Sequence, residues 1–256
     1  MRSSRLGGAV QRLASVVLLF VVWYAAAWLP AKPLLPPPHQ VLLYLVQDVQ
    51  KPEIWKHLGA TLTRILLGFT LSMVFAIPFG IALGFSAVTR KLLGAWVVIG
   101  LMIPSLVYII LAYTSIGLNE FAAVVAAALA VVWVLTINIW ESTKAIDVKL
   151  IQMARGFGLS RMRIVTSVVL PQLAASLMAS ARFGLGLIWN MVLFVELLGR
   201  SNGIGYQIEY YYQLFDLGRV LEYTVFFVAI MLLIEVVVLG NVERRLFRWR
   251  PAARLA

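Results

Sequence analysis

The chain has 256 residues, 62% of them hydrophobic, with 22 Lys+Arg against 11 Asp+Glu and a formal net charge of +11. So apolar a composition excludes an ordinary soluble domain, and the length leaves room for about six membrane-crossing segments of ~20 residues. The absence of cysteine excludes disulfides and thiolate metal sites, His39 and His57 are too few for a metal cage, and no GxxxxGK[ST] stretch is present to cradle ATP phosphates.

Residues 1–12 carry Arg2, Arg5 and Arg12 without an acid, and residues 13–29 then run apolar. A charged start before an apolar core also describes a signal peptide. This run is longer than such a core, and Trp23, Trp28 and Pro30 suit an interfacial end, so it reads as a retained first span. Residues 34–58 open with Pro36, Pro37 and Pro38 and continue as a mixed helix, with Val41, Leu42, Leu45 and Val49 placed to lie in the interface plane. Residues 62–85 form the second span. Gly80 and Gly84 make a small-xxx-small pair that lets another helix approach closely, and Arg64 sits near the start, where it can snorkel or pair.

Residues 92–117 read as a third span with Pro104 inside it. A proline removes one backbone hydrogen bond, so the site either lines a cavity or is a packing kink whose polar groups are satisfied by Ser105, Tyr108, Tyr113 and Thr114. Asn119 and Glu120 form a tight turn. Residues 121–140, rich in alanine, are expected to be a closely packed fourth span.

Residues 151–171 are the one long polar stretch between two apolar ones in the second half. Asp147 can cap a helix over about 148–157, with Leu150, Ile151, Ala154 and Phe157 on one face. Gly158 stands where a helix end needs a left-handed residue, Ser160 can cap a second short helix, and Pro171 starts or kinks the next span. Arg155, Arg161 and Arg163 have no acid among them. A capped helix–Gly–helix between two spans predicts docking to something outside the membrane; an ordinary basic loop is the plainer alternative.

The fifth span, residues 170–198, holds Arg182, Trp189, Asn190 and Glu196. Charge at membrane depth is costly and faces a partner or a cavity. Arg182 reads as a structural anchor. Tyr108, Trp189, Asn190 and Glu196 are assigned to a central translocation pathway: Asn190 because an unsatisfied amide in lipid costs several kcal/mol, Trp189 as an obstruction beside it, and Glu196 at an outer mouth. The alternative is that they pack one subunit against another. Tyr206, Tyr210, Tyr211, Tyr212 and Phe215 suit an interfacial aromatic belt. Residues 220–240 are the sixth span, with Glu222 at its edge, and a basic tail follows.

Fifteen Lys and Arg fall in the N-terminus, the 86–93 loop, the 141–168 loop and the tail, against six in the alternate segments. By the positive-inside rule this places both termini and the capped segment in the cytoplasm, and explains the net charge without nucleic acid.

The capped segment resembles the EAA loop of permease subunits of ATP-binding-cassette importers: acid-Ala-Ala, a glycine four residues after the last alanine, then Leu-Pro. Here these positions are Gln152, Met153 and Ala154, then Gly158, then Leu170 and Pro171, so the first two depart from the pattern. Further positions resemble the sulfonate, nitrate and taurine branch: Thr61, Arg64, Gly68 and Phe69; Arg182 and Trp189; Glu196 to Gly199; and Gly203 to Tyr206. Where the branch has Pro-Pro and Trp, this chain has Pro104, Ser105 and Tyr108. The resemblance runs from about residue 35 to 249. It implies an all-α integral membrane protein of the type I importer permease fold, one transmembrane domain over 1–256 with a core at 58–242 and a cytoplasmic coupling segment at 147–169. It further implies a multi-pass protein of the bacterial inner membrane that is not itself an enzyme and carries no cofactor. Its expected partners are ATPase subunits that bind the ATP, an extracytoplasmic substrate-binding protein, a second permease copy and membrane lipid. Gln152, Met153, Ala154, Gly158 and Arg161 are the expected ATPase-coupling residues, with Ala154 and Gly158 at closest approach. The rivals are a channel or secondary transporter, which should show inverted repeats, and an intramembrane enzyme, for which no HExxH or Ser/His pair lies in a span.

Overall fold

The computed structural model describes residues 3–28 and 35–241, and every regular element among them is helical. The helices are α1 (Ser3–Trp28), α2 (Pro38–Asp48), α3 (Pro52–Phe85), α4 (Ala87–Met102), α5 (Ser105–Ile116), α6 (Glu120–Lys144), α7 (Val148–Gly156), α8 (Arg161–Ile164), α9 (Leu170–Gly199), α10 (Ile204–Gln213) and α11 (Leu217–Leu233). The basic tail and the Pro30 end of the first span lie outside the described residues.

Among the described residues four helical stretches are long and apolar enough to cross a membrane: Pro52–Phe85, Glu120–Lys144, Arg161–Gly199 and Leu217–Val237. A fifth crossing is available if α4 and α5 count as one, and the apolar part of α1, Ala14–Trp28, is shorter. The expected third span is therefore not a straight helix with a kink. α4 ends at Met102, Pro104 caps α5, and the two helices meet at 95°. Pro104 cannot donate to the preceding turn, so the helix stops. The bend is then held from the side, because Gly100 lets the Trp133 ring lie against its backbone where a Cβ would collide. The second span also begins earlier than expected. Pro52 occupies the first turn of α3, and Ile54 and Leu58 are buried while Glu53 and Lys56 face outward.

α3 and α6 form the most extensive helix pair, with α9 packed against both. The alanines of α6 are the reason for this closeness: Ala122, Ala123, Ala126 and Ala127 are fully buried. Gly68 lies against Ala127, and further along α6 a Cβ at Gly80 would stand 2.9 Å from the Thr136 carbonyl, while Gly84 abuts Thr143. The small-xxx-small pair is thus the α3–α6 contact. α2 lies beside α11, with Val41 buried and Leu42 and Val49 exposed.

Candidate functional sites: a capped surface segment and a buried ion cluster

At one end of the spans α7 and α8 form the capped segment. Asp147 accepts from the Lys149 amide at 2.8 Å, Gly158 adopts φ +73°, and Ser160 accepts from the Arg163 amide at 3.4 Å. All three joints are where the spacing of capping residues puts them. Only half of the expected apolar face turns inward. Ile151 and Ala154 are buried with Ile146, Ile164, Val169 and Leu173, whereas Leu150 is 39% and Phe157 79% exposed. α7 has only nine residues and rests on the body along a narrow stripe.

The outward face of α7 carries Lys149, Gln152, Met153 and Gly156, all exposed. Gln152, Met153 and Gly158 are thus all exposed. Ala154, expected at the closest approach, is 3% exposed and packs the segment onto its own body. Arg161 is exposed on the flank, in a groove of ≈ 720 Å³ shared with Arg155. A second groove of ≈ 760 Å³ on the other flank is lined by Ile146, Leu150, Met153, Phe157 and Pro171.

α8 does not stop before the next span. Val165–Val169 form a π turn, closed by Leu170 N donating to Val165 O, that runs directly into α9. Pro171 lacks an amide and its ring crowds the carbonyl four residues back, so the preceding turn widens instead of breaking.

At the opposite end of α3 lies a polar cluster that sequence reasoning did not assemble. Arg64, 2% exposed, forks onto Glu120, with Nε to Oε2 at 2.8 Å and Nη2 to Oε1 at 2.7 Å. Its Nη1 donates to Glu196 Oε1 at 2.7 Å and to the Asn202 carbonyl at 2.9 Å. The other Glu196 oxygen accepts from Thr61 Oγ1 at 3.0 Å and from the Gly205 amide at 2.8 Å. The Ile204 amide donates to Thr61 Oγ1 at 2.8 Å and the Gly203 amide to His57 Nδ1 at 3.0 Å, while His57 Nε2 meets Gln207 Nε2 at 2.6 Å. Arg200 closes the rim by pairing with Glu120 and donating to the Leu118 carbonyl at 3.0 Å. Gly203, at φ +117°, and Gly205 have no room for a Cβ beside Glu196. The loop thus presses its amides onto a carboxylate that is 0% exposed. The buried pair Arg64 and Glu196 is met by Glu120, Thr61 and backbone donors and acceptors, the condition under which buried charge is tolerated.

The four expected pathway residues lie in different surroundings within the subunit. Glu196 is wrapped by α3, α9 and α10 and opens onto no mouth. Tyr108 is 8% exposed and donates to the Gly100 carbonyl at 2.6 Å, satisfying the helix end at the bend. Trp189 is half-buried against the core. Of the four, Asn190 alone is exposed, its amide donating to Gly186 O at 3.0 Å, on an α9 face shared with Ala179, Phe183 and Phe194. The four do not meet on one surface of the subunit. The signal that would have found the cluster was the coincidence of three lone charges, Arg64, Glu120 and Glu196, all near span ends on one side.

Residues 76–248 match the family of binding-protein-dependent transport system inner membrane components. The taurine transport system permease protein TauC of Escherichia coli is 30% identical over 204 residues, covering 77% of this chain and 74% of that one. The putative aliphatic sulfonates transport permease protein SsuC of the same organism is 30% identical over 245 residues, covering 93% and 90%. A chain of the MetNI methionine ABC transporter in an inward-facing conformation superposes with a TM-score of 0.62 at 19% identity, over 81% of this chain and 96% of that chain, which shows a shared fold. With the family matched over most of its length, the capped segment included, this chain is a binding-protein-dependent transport system inner membrane component.

Proposed function

We propose that the chain is the pathway-forming permease of an ATP-binding-cassette importer, taking a small sulfonate-class solute from an extracytoplasmic binding protein. The observation that carries the reading is the segment over 147–169: doubly capped, exposed, and attached to the body along a narrow stripe. Gln152, Met153 and Gly158 on its outward side are the contacts for an ATPase subunit, which supplies the ATP site that this chain lacks, and the permease itself catalyses nothing. The charge distribution supports a cytoplasmic position for this segment and for both termini, in a bacterial inner membrane. The substrate class is supported by the taurine and sulfonate permeases at 30% identity. One domain of 1–256, with its core at 58–242, pairs with a second copy. Asn190 and the exposed face of α9 supply this subunit's wall of the pathway, with Trp189 behind it.

Gly158→Val tests the coupling role. No atom lies within 4 Å of a Cβ at Gly158, so the substitution strains the positive φ without steric conflict. A strain of ~1 kcal/mol or more should displace the joint, leave the complex assembled, and lower uptake per ATP hydrolysed by roughly tenfold. Uptake and hydrolysis that stay coupled as in wild type would overturn the assignment. Flux through the permease alone in vesicles, without ATPase, would instead favour a channel or secondary transporter.

A further inference from the structure

The flank groove beside the capped segment holds Arg161, one of the expected coupling residues, together with Arg155, and its chemistry suits a second ligand. Its charged residues are Arg155 and Arg161, and no acid lines it. Neither arginine makes an ion pair among the described residues. The remainder of the wall is apolar, with Ile151, Leu159 and Ile164 from the capped segment and Ile81, Phe85, Val165 and Leu170 from the ends of two spans. Phe85 is 51% exposed, and Val165 and Leu170 are each 44% exposed. Arg155 follows Ile151 by four residues, so it stands beside the buried stripe of α7 and aside from the outward face.

We propose that this groove binds an anionic phospholipid, with its phosphate between Arg155 and Arg161 and an acyl chain along Phe85, Val165 and Leu170. Paired guanidiniums match phosphate oxygens in geometry and charge. An apolar wall running on into the spans continues the path of a hydrocarbon tail. A carboxylate on a docked soluble protein would reach the arginines but leave that wall uncovered. Basic recesses at the membrane-surface ends of spans are where acidic headgroups are held. The inference needs only that the α3 and α9 ends lie at a membrane surface, and it does not depend on the coupling assignment. Its consequence is that membrane composition reaches the hinge between α7 and the spans.

The test is native mass spectrometry of the full-length permease in detergent, exposed to equal amounts of phosphatidylglycerol and phosphatidylcholine. Wild type should retain the anionic lipid with a preference of about tenfold, the scale of two basic side chains at a charged surface. The Arg155→Gln/Arg161→Gln pair should bring the two lipids to parity. Arg155→Lys/Arg161→Lys should keep most of the preference, and Arg163→Gln, outside the groove, should keep all of it. Leu170→Glu, which leaves both arginines in place, should also abolish retention. Equal retention of the two lipids by wild type, or a preference unchanged in the double Gln variant, would overturn the proposal. So would a double Gln variant that keeps its lipid and loses its ATPase, which would assign the arginines to the protein partner.

Discussion

Arg64 decides the state of the ion cluster, because it is the single cation between two carboxylates on different helices. Replacing it with Met keeps the volume and strands Glu196 as a buried charge, a change that costs about 3–5 kcal/mol. Thermal unfolding in detergent should show a large drop in the midpoint, whereas an unchanged midpoint would mean that Glu196 is reached by water. Asp48 behaves differently because it sits at the surface end of α2. Burial works against its charge, but Lys51 at 2.6 Å and Arg219 at 2.7 Å outweigh it and hold the carboxyl below its ordinary value. A carboxyl whose value is lowered on folding stabilises the fold above its unfolded value and loses that contribution as pH falls through the folded one. The contribution of the Asp48 carboxylate to the α2–α11 tie should therefore be lost only in strong acid. Asp48→Asn should be less stable than wild type at neutral pH and converge with it only below pH ~3.9. Parallel pH–stability curves for the two proteins would contradict this.

Single elements show which signals are local. Asp147, Gly158 and Ser160 each act on backbone groups within three residues, so their roles in α7 and α8 could be read from spacing. Gly80 and Gly84 likewise announced a close helix contact. Gly84→Val must push α3 away from Thr143 on α6, and overpacking of this kind costs ~1–3 kcal/mol. The fall in melting midpoint should exceed that of Gly186→Ala, where a Cβ meets nothing within 4 Å. Equal effects would show that α3 and α6 are separable. The bend at Pro104 was half legible. Proline marks where a helix stops, but whether its halves stay in line depends on Trp133 fitting over Gly100, a contact from another helix. The inward set of α7 was misjudged at Leu150 and Phe157 for a related reason. A helix of about two turns buries only what its neighbours reach, and those neighbours are distant in sequence.

On the scale of the whole subunit, the ion cluster joins residues 132 apart in the chain, Arg64 and Glu196, and periodicity carries no information about such a pair. Length, hydropathy and basic loops were enough for a helical membrane protein, and the family resemblance supplied the permease. The cluster and the groove depend on how distant segments pack, which no local pattern encodes. Along α3 the 17 residues between Arg64 and Ile81 span about 25 Å at 1.5 Å each. The subunit is thus fastened by charge at one end and attached by a narrow apolar stripe at the other. Two such subunits should close a pathway between their exposed α9 faces, as closed two-fold pairing is the common arrangement for identical chains. A cysteine at Asn190, in a chain with no native cysteine, should react with a water-soluble thiol reagent to a different extent with and without trapped nucleotide, and one at Glu196 should stay protected in both. Equal labelling of the two positions would remove Asn190 from the pathway. Native mass spectrometry of the intact transporter should count two copies of this chain; a single copy would mean a heteromeric pair.

The π turn at Val165–Val169 sets the phase of the whole assembly. A widened turn holds one more residue than an α-helical one, so the helix below it is wound about 100° differently from an uninterrupted helix. That angle decides which way the side chains of α8 face relative to the α9 stripe of Ala179, Phe183 and Asn190. Like the lead of a screw, it fixes how far a push at one end turns the other. One residue fewer would leave a regular helix whose lower end points a different way.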